Sequence, residues 1–171
     1  MDLEAREGWK GHLSAGAFDI TKVGAYSSDE LKNKTLVLVK PDAFSRKLAG
    51  EIIGRFEAKG FGLLEVKKLK LTREQAEDFY SVHRGKPFYE KLVASISAGP
   101  IVALVLEVPA SRDTKGKTAV EIVRLMVGST NPSEAAAGTL RGDFGLDITD
   151  NVVHASDSIE SFVKESKVIF K

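Results

Sequence analysis

No cysteine occurs in the 171 residues. Disulfides, thiolate nucleophiles and cysteine-type zinc sites are therefore excluded, and a reducing compartment is the natural setting. Net charge is almost absent as well, at +1 from 25 basic and 24 acidic residues. No field of one sign draws such a chain to nucleic acid or to an anionic membrane. No apolar run is long enough to cross a bilayer. The opening "MDLEAREGWKGHL" has neither the basic n-region nor the apolar h-region of a secretory signal. A cytoplasmic protein with no membrane partner and no nucleic-acid partner is expected. Histidine is scarce, with three in all, so the placing of each one carries information.

What is present describes an ordinary globular chain. Hydrophobic residues make up 43% and charged residues 29%, and the length suffices to bury a core without staples. Residues 1–33 mix Gly, Ser and charge with apolar residues at no fixed period, and read as an irregular extension. A regular domain is expected over 34–171. "TLVLVK" (35–40) reads as a fully apolar strand ended by Pro41. Leu48, Ile52, Ile53 and Phe56 share one helical face, with Gly60 just past the end. "FGLLEVKKLKL" is a half-buried strand. Thr72, with Glu74 or Gln75, caps the next helix. "FYEKLVASIS" is a second short helix, broken by Gly99-Pro100. "IVALVLEV" is a buried strand, "TAVEIVRLMVG" a helix, and "STNPSEAAAGTLRGDFG" a long turn-rich segment. "NVVH" (151–154) is a fourth strand, and the last helix runs to about Phe170.

The order β-α-β-(αα)-β-α-β-α predicts an α+β fold. It is a ferredoxin-like (βαββαβ) antiparallel four-stranded sheet with helices on one face, an inserted helical pair and a C-terminal helix.

Three stretches carry chemistry. In "NVVHASDS", His154 stands at the seam between a strand and a helix capped by Asp157 or Ser156, with Glu160 closing a box. A lone histidine is commonly a buried structural one. Beside a helix N-terminus, however, a neutral imidazole is favoured over imidazolium, an attached anion is welcome, and the ring is a good nucleophile for a phosphoryl group. In "VKPDAFSR", Lys40 ends a buried strand. It either snorkels to the sheet edge or meets an anion or a leaving group. In "RLMVGSTNPSEAAAGTLRGDFG", Arg124 and Arg141 bracket a loop with Thr130 and Asn131. Arginine forks suit phosphate oxygens, although each taken singly also fits a surface ion pair.

Taken together, "VKPDA", "GEIIGRFEAKGF", "FYSVHRGKPFYEKLV", "SAGPIVALVLE", "RLMVGSTNP", "AAAGTLRGDFG" and "NVVHASDSIES" resemble the nucleoside diphosphate kinase family. The resemblance runs in order through nearly everything from Lys34 onward. It implies that His154 takes the γ-phosphoryl group of a nucleoside triphosphate and passes it to a diphosphate, with ping-pong kinetics. Lys40 and Asn151 would hold the sugar 3′-hydroxyl, with Lys40 also near the leaving oxygen. Arg124, Thr130 and Arg141 would clamp the phosphates. Phe88 would stack on the base and Leu92 would wall it, giving tolerance of base identity. Tyr80 would orient the surroundings of the histidine, with Ser156 and Glu165 behind it. Glu165 reaches the ring only if the imidazole lies beside the helix. Mg²⁺ would arrive on the nucleotide rather than in a protein cage. The partners implied are nucleoside di- and triphosphates and further copies of the chain, as a hexamer or tetramer.

The chain departs from the family in having Ala43 and Ala155 where glycine is usual, Ala137-Gly138 where Pro-Gly is common, a longer "VPASRDTKGK" loop, and the N-terminal extension. A left-handed backbone at Ala155 would cost on the order of 1 kcal/mol. Two other readings compete. "SRDTKGKT" (111–118) ends like a P-loop but has Ser111 in place of the first glycine. A non-enzymatic ferredoxin-like module binding nucleic acid would need basic and aromatic residues on an open sheet face, and these strands are apolar on both faces.

Overall fold

The computed structural model describes residues 18–171, so the expectation for residues 1–17 lies outside the described residues. Residues 18–33, expected to be irregular, contain a 3₁₀ turn, Ile20–Ala25, and a short helix α1, Ser28–Leu31. Each is capped locally: Asp19 accepts from the Thr21 N–H at 3.0 Å, and Ser27 and Glu30 form a capping box. Ile20, Val23 and Leu31 are buried. Single apolar residues without a period therefore became anchors on a neighbouring surface, which a periodicity search does not register.

The strands are β1 (Lys34–Val39), β2 (Gly62–Leu69), β3 (Ile101–Glu107) and β4 (Val153–Ala155). They form one antiparallel sheet in the order β2-β3-β1-β4. Between them lie α2 (Pro41–Ser45), α3 (Ala49–Ala58), α4 (Arg73–Phe79), α5 (Tyr89–Ser97), α6 (Ala119–Val127) and α7 (Leu140–Phe144), with α8 (Ile159–Ile169) last. The inserted pair between β2 and β3 is α4 and α5. Thr72 caps α4 with Gln75 in a full box, and Gly60 takes φ +88 after α3. The short helices α2 and α7 were not expected. Pro41 ends the strand but also starts α2, because its fixed φ suits a first helical position. Thr139 caps α7 inside the turn-rich segment.

The helices do not pack on one face only. Leu36 and Leu38 of β1 join Ala103 and Val105 of β3 in a core with α4, α5, α8 and the 20–25 turn. Val37 and Val39, pointing the other way, join Leu104 and Leu106 in a second core with α2, α3, α6 and α7. The two central strands are buried on both faces, as their unbroken apolar runs require. Layers on both sides leave the ends of the strands as the place where polar side chains gather.

Candidate active site

The site lies where β1 ends and β4 begins. In the sheet register Leu38 stands opposite His154 and Val39 opposite Val153. β4 is shorter and later than expected, and His154 is its middle residue. Asn151 and Val152 form the entry, and Val152 takes φ +66, an outlier for a β-branched side chain. This strained backbone is held from both sides. The Val152 N–H donates to Asp42 Oδ2 at 3.1 Å, and the Val152 carbonyl accepts from the Lys40 N–H at 2.9 Å. Such strain persists only where neighbours over-determine it. Ala155, the position suspected of left-handed geometry, does not have it and sits in the strand.

The helix start also differs from expectation. Ser158 caps α8, accepting from the Ser161 N–H at 3.0 Å, and neither Asp157, Ser156 nor Glu160 does so. His154 therefore does not crown a helix end. Its ring lies beside α8, with Nε2 3.0 Å from Glu165 Oε2. Glu165 is six residues along the helix, and at about 1.5 Å per residue this is roughly 9 Å from its start. The N–H axis is not aligned on the oxygen, so the contact is a close charge–dipole approach rather than a formed hydrogen bond. Its chemical consequence survives the misalignment, because an unprotonated Nε2 would set its lone pair against a carboxylate. Nε2 thus carries the proton, and Nδ1 is the ring nitrogen with a free lone pair. Ser156, fully buried, donates to the same Glu165 oxygen at 2.6 Å and fixes it.

Aromatic rings enclose the imidazole. Phe79 packs edge-on at 4.9 Å between centroids and Tyr80 at 5.8 Å. Burial, with the Glu165 carboxylate adding to it, pushes the Tyr80 phenol well above its ordinary range, so it stays protonated. Phe79 was missed because an aromatic on an amphipathic helix reads as core.

Lys40 is 3% exposed. Its ammonium donates to the Thr149 carbonyl and, at 2.9 Å, to Asn151 Oδ1. Burial lowers its pKa, and Asp42 opposes that shift. Burial also raises the Asp42 carboxyl, which Lys40 counteracts. Asp42 belongs to "VKPDA" but was given no role in advance. Its part, bonding a backbone N–H across the sheet, has no local signature. Asn151 donates in turn to the Thr130 carbonyl at 2.9 Å, tying the loop after α6 to the entry of β4.

Arg141 is buried, and its guanidinium donates to the carbonyls of Gly128 (3.2 Å) and Val153 (2.9 Å), with Nε unpartnered. Burial, then the neighbouring Arg124, pushes it down to about 10. It remains a cation at neutral pH. Arg124 reaches the Ala155 carbonyl at 3.4 Å. Two guanidinium groups thus flank the strand that carries His154, with no carboxylate partner on either among the described residues, an arrangement that favours an anionic ligand. The surface-ion-pair reading of these arginines finds no support in their contacts.

Phe88, at the start of α5, is 48% exposed, and Leu92 lies one turn later, half-buried. A chain of rings leads to Phe88 from the site: Tyr80 to His83 at 6.1 Å, then His83 to Phe88 at 5.5 Å. Burial, then the Lys86 ammonium, lowers the His83 pKa. A cleft of about 630 Å³ is elsewhere, lined by Phe18, Tyr26, Lys34 and the 108–119 loop. It lies at the opposite end of β1 and holds none of these groups.

The chain matches the family model described as nucleoside diphosphate kinase over residues 33–171. It is 53% identical over 138 residues to the nucleoside diphosphate kinase of Staphylothermus marinus, covering 81% of this chain and 92% of that one. It is 48% identical over 141 residues to the enzyme so named from Methanocaldococcus jannaschii, covering 82% and 95%. The crystal structure of the Aquifex aeolicus nucleoside diphosphate kinase superposes with a TM-score of 0.74 at 40% identity, over 81% of this chain and 95% of that one. The chain belongs to the nucleoside diphosphate kinase family.

Proposed function

We propose that the chain moves the γ-phosphoryl group of a nucleoside triphosphate to a nucleoside diphosphate in two displacements, both at His154. The observation that carries this reading is that Glu165 covers Nε2 of the imidazole, which leaves Nδ1 as the ring nitrogen for the attack. In the first displacement Nδ1 attacks the γ-phosphorus. The bond to the β,γ-bridging oxygen breaks, and its electron pair leaves with the diphosphate. In the second, a terminal oxygen of the acceptor diphosphate attacks the same phosphorus and returns the electron pair to Nδ1. Splitting one transfer into two gives ping-pong kinetics. Phosphoryl transfer asks mainly for positioning and charge stabilisation. Arg124, Arg141 and Thr130 supply these around the phosphates. Lys40 and Asn151, already bonded to each other, hold the sugar hydroxyl with Lys40 beside the leaving oxygen. Tyr80 and Ser156 keep the histidine and its carboxylate in place.

The described residues gather no set of three or more His, Asp or Glu able to hold an ion. A divalent cation, Mg²⁺ in this reading, comes in as part of the nucleotide, where it neutralises charge on the β- and γ-oxygens. The chain assembles with copies of itself as a hexamer or tetramer. In support, the outer edge of β2 has no strand partner among the described residues, and Val66 on it is 52% exposed. A cytoplasmic setting fits the missing cysteine and the lack, among the described residues, of any helix long and apolar enough to cross a membrane. The catalytic unit in this reading is residues 34–171. The test is direct: with γ-labelled ATP and Mg²⁺ the protein takes up an acid-labile, base-stable phosphate that GDP discharges.

Base reading is expected to be broad. Phe88 offers an exposed ring face, which all bases recognise alike. Phe88→Ala should weaken purine and pyrimidine nucleotides together, by about 1–3 kcal/mol. Michaelis constants across four diphosphates check this, and loss confined to one base would point to a hydrogen-bonding pocket instead.

A further inference from the structure

We propose that the 3₁₀ turn Ile20–Ala25, which lies ahead of the family-matched region, is a positioning brace that seats α8 and thereby fixes the Glu165 carboxylate against His154. The catalytic consequence of the brace rests on His154 being the nucleophile; the packing does not.

The contact between Glu165 and His154 joins two separate elements, a helix and a strand. Its 3.0 Å distance holds only while α8 keeps its place over β4. Toward its end α8 buries Val168 and Ile169, and they share a core with Ile20 and Val23 of the turn. Val23 is 1% exposed. The end of the Lys167 side chain reaches over the turn, where a Cβ at Gly24 would come within 2.6 Å of its Cε and Nζ. Lys167 is two residues from Glu165.

The turn is tied down at both ends, with a kink at Lys22 between them. Asp19 caps it, the Asp19 N–H donates to the Tyr26 hydroxyl at 3.0 Å, and the Phe18 and Tyr26 rings pack at 5.2 Å. After the turn the chain passes through α1, with its own capping box, and directly into β1. β1 pairs with β4, placing Leu38 opposite His154. The turn is thus tied to both partners of the contact, to Glu165 through α8 and to His154 through β1. A rigid link on both sides holds such a pair in the geometry that a catalytic group needs.

A purely structural role would also bury Ile20 and Val23, so stability alone does not decide. The test uses the full chain carrying Ile20→Ala with Val23→Ala, and in parallel the milder Val23→Ala alone. Ile52→Ala, in the core on the other sheet face, is the control for general loosening. The side-chain ¹⁵N shifts of His154 are read in nucleotide-free protein labelled in histidine, and three histidines are few enough to assign one by one. In the parent, His154 should be in the Nε2–H form. In the brace variants a share of Nδ1–H should appear, and single-turnover phosphorylation by ATP should slow about 3- to 10-fold, with nucleotide affinity within about twofold. Ile52→Ala should lower the melting temperature without either change. An unchanged His154 spectrum in the brace variants, or the same shift in Ile52→Ala, overturns the proposal. A parent that takes up no phosphate defeats the phosphohistidine reading instead, and the tautomer still judges the brace.

Discussion

His154→Ala removes phosphoenzyme formation and nucleotide-to-nucleotide transfer together, while the fold survives. The side chain touches Glu165, Phe79 and Tyr80. Truncating it exposes no backbone group, because the β4 ladder opposite Leu38 does not depend on the ring. Its one close polar partner, Glu165, keeps the bond from Ser156. The stability cost is that of one partly buried ring, about 1–3 kcal/mol. The chemical cost is of another order. The chain has no cysteine, and the other described histidine, His83, lies beyond Tyr80 and against Lys86, so in this reading no second nucleophile is placed to take over the phosphoryl. Activity should fall by at least about 10⁴-fold, toward what positioning alone provides, since removing a nucleophile leaves only the binding apparatus. Coupled-assay rates with ATP and GDP, together with a melting curve, check both halves. Turnover within tenfold of the parent in a folded variant would end the phosphohistidine reading.

How far the sequence made this site legible depends on the kind of residue. His154, Lys40, Arg124, Arg141 and Asn151 stand out in the sequence because they fall in segments whose residue types have few structural uses together, and the structure brings all five around the end of β1 and the strand β4. The periodic elements α3, α4, α5, α6 and α8 were legible for the same reason that they are stable: each buries one face. What escaped notice is non-local. Asp42 matters through the N–H of Val152, 110 residues away in sequence. The left-handed backbone at Val152 has no glycine to announce it, so strain was sought one residue past His154 at Ala155 rather than two residues before it. The two-faced packing of the sheet was written in the unbroken apolar runs of β1 and β3. The βαββαβ order, taken alone, pointed to a single layer of helices. Ile20 and Val23 are buried only because α8 happens to lie beside them, and that is settled by tertiary packing rather than by any local pattern.

Lys40→Ala cripples transfer, whereas Lys117→Ala leaves it within a few-fold of the parent. The two lysines stand for the two enzyme readings. Lys117 ends the "SRDTKGK" run, where a P-loop would hold the β- and γ-phosphates. In the structure it lines open clefts at the far end of β1, next to Thr118, which caps α6. It lies on the exposed 108–119 loop, and truncating such a lysine typically costs less than about 0.5 kcal/mol. Lys40 is buried, bonded to Asn151 and to the Thr149 carbonyl, and its ammonium is held in a place that costs desolvation. A buried cation kept against that cost, at a strand end near Arg141, is the proposed counter-charge for the oxygen that leaves during transfer. Losing one such preorganised contact is expected to cost about 10²–10³ in turnover. The loss also leaves Asn151 Oδ1 without its partner, so Lys40→Met, which keeps the stem, separates packing from charge. Both Lys40 variants should fall by a similar factor in kcat. If Lys40→Met is restored to parent rates, Lys40 serves only as a spacer, and the leaving oxygen finds its counter-charge elsewhere, in Arg124 and Arg141.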